Sequence, residues 1–273
     1  MLLREDLALG VEEPQASASL DVRARRAKLF ACGVLGVIYF AGSALQSWNL
    51  LFGLAATLWG LVLAPALIYP TLVGSPLRTT LALRAPSLRS IWLAPIIAVC
   101  LCGLNTSYMG VQDQFLPVPL ELEAMYREIF LGHQTTPIVA FLLFALSPGI
   151  CEELLWRGTF QGELEPGARP IRTALWVGLF FGLFHFSIYR FVPTAAVGFV
   201  LALVRQRSSS ILPCMLIHTT YNALLCFAFE PFLKALEKNG YAWVPTHPVT
   251  TALALGALLI CLERMRPTSV AVR

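Results

Sequence analysis

From residue 29 onward the chain alternates long apolar runs with short polar clusters. A helix that crosses a bilayer needs roughly 20 apolar residues. Eight runs approach that length: residues 29–45, 50–73, 91–108, 137–156, 174–188, 191–204, 211–229 and 249–262, of which the fifth, sixth and eighth are short. The pattern predicts an all-α membrane protein of about eight transmembrane helices. Residues 1–28 are polar and lack the apolar core of a signal peptide, so they form a retained, disordered cytoplasmic tail. Residues 29–273 form one integral membrane domain, with no internal repeat or low-complexity linker.

Composition agrees with the pattern. Of 273 residues, 57% are hydrophobic and only 13% charged, and the mean hydropathy is +0.69; a soluble domain carries nearer a quarter charged residues. The same apolar content excludes a disordered chain. A net charge of +4 would suggest nucleic acid if it were clustered on a polar face, and it is not. The seven cysteines lie in or beside apolar runs, where they pack as small hydrophobes and form no disulfide or zinc cluster.

Lys and Arg accumulate in cytoplasmic segments. With eight crossings and the N-terminus inside, only Arg127, Arg190, Lys234 and Lys238 of the 20 basic residues fall on the outer side. Both termini are therefore expected in the cytoplasm. The longest outer segment, residues 109–136, carries Phe115, Leu116, Leu120 and Leu122 among its acids and reads as an interfacial helix lying on the bilayer.

Ionisable groups inside spans are costly and mark function. The fourth span contains Ser147-Pro148-Gly149 followed by Glu152, Glu153 and Arg157. Ser147 can cap a helix that opens on Pro148, which predicts a broken span with a new helix beginning just before the acids. Glu153 and Arg157 stand four apart, the spacing of an intrahelical ion pair. Glu152 points about 100° away around the helix, free to face a cavity. Phe181 and His185 share the fifth span, and His218 and Asn222 the seventh, each pair four apart. By rise per residue, Glu152 and His218 lie toward the cytoplasmic side, with His185 and Asn222 near the midplane. His133 and His247 fall in outer loops and read as ordinary loop residues.

These three pairs resemble the motifs of the membrane-embedded CAAX-protease and bacteriocin-processing (CPBP, or Abi) family: E-E-x-x-x-R, F-x-x-x-H and H-x-x-x-N, in the family's order within residues 137–229. The resemblance implies an eight-helix intramembrane endopeptidase acting on a membrane-associated protein or peptide. Its glutamate-type members imply Glu152 as the base that activates water, His185 as its assistant, and His218 with Asn222 as donors to the oxyanion. Glu153, Arg157 and Phe181 are supporting residues. No cofactor is required in that version; the alternative is a zinc ion held by Glu152, His185 and His218, since two histidines and a carboxylate form a known catalytic set. Relatives process prenylated tails, bacteriocin leaders or C-terminal sorting tails, and the implied location is the bacterial cytoplasmic membrane. A non-catalytic membrane scaffold is the alternative function, because family membership does not guarantee activity.

Overall fold

A computed structural model of the chain describes residues 14–122, 124, 136–165, 169–228, 234, 238–239 and 247–265. Among these the structure is helical, with no strand. Five helices are long and apolar enough to cross a membrane: α1 (Leu20–Trp48), α2 (Leu50–Leu72), α4 (Leu88–Gln112), α5 (Pro137–Leu164) and α7 (Ile188–Ser208). Shorter apolar helices α6 (Pro170–Leu183) and α8 (Leu212–Ala228), and α9 (Pro248–Arg264), fall where the remaining apolar runs lie. A single turn, α3 (Leu77–Thr80), sits between α2 and α4.

Several boundaries differ from the hydropathy reading. The helix that becomes α1 starts at Pro14, so residues 14–28 are helical and lead into the first span rather than being disordered. Pro at a first helical position and the following Ala-rich run favour this. Between α1 and α2 the chain turns at one extended residue, Asn49, whose side chain accepts the Phe52 N–H at 2.9 Å. His133 and much of the outer segment lie outside the described residues. Its described part leaves Phe115 and Leu120 exposed.

The largest correction concerns α5. It is continuous through Ser147, which has helical dihedrals and caps nothing. The helix absorbs Pro148 by widening: a π-helical stretch, Phe141–Leu146, immediately precedes it. A proline removes one N–H and crowds the carbonyl four residues earlier, here Phe144, inside the widened turn. α2 repeats the device, with π-helical Thr57–Val62 ahead of Pro65. The Ser147 hydroxyl instead accepts the Trp59 indole N–H at 3.1 Å, joining α5 to α2.

α5 is the central helix, packed against α1, α2, α6, α7 and α8. α6 and α7 form a close hairpin, and α4 lies between α8 and α9. Aromatic contacts among Trp156, Phe160, Phe180 and Phe184 join α5 to α6. All seven cysteines are free thiols, and Cys151 and Cys214 are fully buried.

Candidate active site

Glu153 and Arg157 form the ion pair that their spacing predicts, Nη1 to Oε1 at 2.7 Å, with both side chains fully buried. The same Oε1 accepts a 2.7 Å hydrogen bond from His218 Nδ1 on α8. Arg157 also donates Nη2 to the Gly198 carbonyl of α7 at 3.3 Å, and its guanidinium carbon stands 4.2 Å from the centre of the Phe181 ring of α6. One carboxylate and one guanidinium thus tie four helices together. A buried pair is tolerable only when further hydrogen bonds answer its remaining polar atoms, and His218 and Gly198 supply two.

Phe181 separates two imidazoles. Its ring lies edge-on to His185 at 5.1 Å and to His218 at 5.7 Å between centroids. His185 does not sit inside a span as expected: α6 ends at Leu183, and His185 occupies the turn to α7. Phe186 adopts φ 45° and Ser187 is extended, so the helix cannot continue. The turn holds the imidazole by its own backbone, with Nδ1 2.9 Å from the Phe181 carbonyl.

Both contacts fix a tautomer. A carbonyl only accepts, so His185 carries its proton on Nδ1; the Glu153 oxygen that already accepts from Arg157 likewise takes an N–H from Nδ1 of His218. In each ring Nε2 is left for a visitor. Glu152 is 6% exposed, and its Oε2 is buried without a hydrogen-bond partner. π-helical turns flank the acids on both sides, at Phe141–Leu146 and Leu154–Phe160, a feature frequent at functional sites.

Glu153, Arg157, Phe181, His185 and His218 therefore gather in one cluster, and Glu152 precedes Glu153 on α5. Asn222 lies one turn beyond His218 on α8, half-buried and with no hydrogen bond to the others. Glu152 sits near the middle of α5 rather than close to its end, because the helix runs on to Leu164. As to zinc, no group of three His, Cys, Asp or Glu side chains among the described residues stands close enough to hold a metal ion.

Residues 134–224 match the family model described as type II CAAX prenyl endopeptidase Rce1-like. The match spans a third of the chain, from the start of α5 to α8, and includes every residue of the cluster. No curated protein and no solved structure matches the chain.

Proposed function

We propose, from the Rce1-like domain at residues 134–224 and the cluster it builds, that this protein is an intramembrane endopeptidase of the glutamic type. Glu152 carries the reading: a buried carboxylate with an unpartnered oxygen, next in the chain to the Glu153 that holds His218. Leaving such an oxygen unsatisfied costs stability, and the neighbouring Glu153 Oε2 is unpartnered as well.

In this mechanism a water gives one hydrogen to Glu152 and directs the other to His185 Nε2, so its lone pair faces the scissile carbonyl. Glu152 takes the proton as hydroxide adds to the carbonyl carbon, and the developing oxyanion receives hydrogen bonds from His218 and the Asn222 amide. His218 already uses Nδ1–H toward Glu153, so its donation to the oxyanion uses a second proton, on Nε2. Glu152 then returns its proton to the leaving amine as the C–N bond breaks. A zinc ion has no place in these steps.

α6 is 14 residues long, about 21 Å at 1.5 Å per residue, less than a hydrocarbon core of about 30 Å. The turn carrying His185 then lies within the membrane, and non-helical backbone is tolerated there only where protein or a wet cavity covers it. The eight apolar helices cross the bacterial cytoplasmic membrane with both termini inside, and the substrate is a membrane-associated protein or peptide, such as a sorting tail, a prenylated tail or a leader.

The test compares protein C-termini in membranes and medium from wild-type and Glu152→Gln cells. A set of C-termini present only in the wild type, at equal abundance of the two proteins, supports catalysis. Identical sets at equal abundance would point to a scaffold. Activity of purified protein abolished by chelation and restored by Zn²⁺ would overturn the metal-free mechanism.

A further inference from the structure

A second polar site lies far from the cluster. From Glu152 to Glu165 the chain rises roughly 20 Å along α5, and beyond that end lies a cavity of ≈ 320 Å³. Thr79 and Arg84 line it from the segment between α2 and α4, Glu165 from the end of α5, Thr173 from α6, and Arg205 and Gln206 from the end of α7.

The wall is built from buried, incompletely satisfied donors. Arg205 is 4% exposed; it pairs with Glu165 through Nη1 and donates Nη2 to the Thr80 carbonyl at 3.0 Å, while its Nε has no acceptor. Thr173 is 1% exposed, and its hydroxyl has no partner. A buried donor without an acceptor costs the desolvation of that group, and both of these belong to residues that line the cavity.

Charge gives the sign of that acceptor. Glu165 is the cavity's carboxylate, and Arg205 together with the Gln161 amide, at 3.0 Å, already engages it. Arg84 adds a second, exposed guanidinium to the wall, leaving a net positive charge. Pro170 and Thr173 belong to the first turn of α6, where the helix dipole is positive and anions bind. The opposing influence is the C-terminal end of α7, whose negative dipole Arg205 and Arg207 face. Helix ends place the cavity at the level of a membrane–water boundary, where basic pockets between spanning helices take anionic headgroups.

We infer that this cavity binds a phosphate oxyanion on a ligand of net negative charge, either the headgroup of an anionic phospholipid or free phosphate. The site is independent of the proteolytic reading, since no residue of the cluster lines it.

Full-length protein in detergent is examined by native mass spectrometry with phosphatidylglycerol, with phosphatidylcholine, and with inorganic phosphate alone. At least tenfold preferential retention of phosphatidylglycerol over phosphatidylcholine assigns the lipid source. Retention of inorganic phosphate without lipid assigns the free ion. In either case Thr173→Val and Arg84→Gln lower retention about tenfold, whereas Glu152→Gln leaves it unchanged. Arg205→Gln orphans Glu165 and risks the fold, so the two milder variants decide. Retention of neither ligand, or retention unaltered in both variants, overturns the site.

Discussion

α5 and the pair α1–α2 are nearly alike in apolarity, yet they are packed differently. In its most apolar stretch α5 has 56% of its residues buried inside the protein, against 22% for α1 and 28% for α2. Hydropathy alone does not separate them, because acyl chains are as apolar as neighbouring helices. Small residues and polar groups do separate them, since these permit close approach and reward it. A Cβ on Gly178 would lie 2.7 Å from the Ala195 carbonyl oxygen, and one on Gly198 would lie 2.9 Å from the Phe181 Cβ. At Gly33, Gly36 and Gly60, on α1 and α2, a Cβ would meet nothing within 4 Å, and close approach in this pair is confined to where the two helices meet each other, at Gly42 and Gly53. The motif helices are held by protein on most sides, and the first two helices largely face lipid.

The strongest way to break this comparison is to remove charge from the centre. Glu152→Gln keeps shape and deletes the base, so peptide cleavage falls by about 10²- to 10⁴-fold while the thermal midpoint in detergent holds. A variant that retains full cleavage would remove Glu152 from the chemistry. Next comes Glu153→Ala, which strands Arg157 and releases His218 together. Orphaning one partner of a buried pair costs about 3–5 kcal/mol, so abundance and thermal stability fall with activity. Arg157→Ala behaves alike, and the double replacement by a well-packed apolar pair recovers stability without recovering cleavage. Loss of activity at wild-type stability in the single variants would show that the pair holds no helices together.

That division was partly legible in the sequence. Glu153 and Arg157 stand four apart, and a helix brings such residues into contact unaided. The Glu153–His218 bond joins positions 65 apart, and no local pattern specifies it. The apolar run ends at Trp156, yet α5 continues through Gln161 and Glu163 to Leu164. Both are buried and partnered: Gln161 donates to the Ala202 carbonyl at 3.0 Å, and Glu163 accepts from Arg23 at 2.9 Å. Their partners lie on other helices, which hydropathy along one run does not register. Pro148 misled in the opposite direction, since a proline breaks an α-helix but fits after a widened turn. His185 was assigned to the correct neighbourhood and the wrong element, because the positive φ of Phe186 ends α6 earlier than its apolar run does.

Smaller effects sharpen the contrast between the two regions. Gly198→Ala forces apart the α6–α7 hairpin that positions Phe181 and His185, and such overpacking costs about 1–3 kcal/mol. The thermal midpoint drops, and cleavage drops further than the lost stability explains, because the His185 turn moves with α6. Unchanged cleavage in the folded fraction would detach hairpin spacing from the site.

Gly33→Ala and Gly60→Ala carry the smallest expected change and the opposite sign. Each places a methyl in open space on a helix, and alanine is the better helix former by about 0.5–1 kcal/mol. The midpoint therefore holds or rises slightly, and cleavage is unaltered. A fall at Gly60 comparable to that at Gly198 would mean that protein, rather than lipid, covers the groove between α1 and α2. The lipid-facing assignment of the first two helices would then fail, while the geometry around Glu152 would stand.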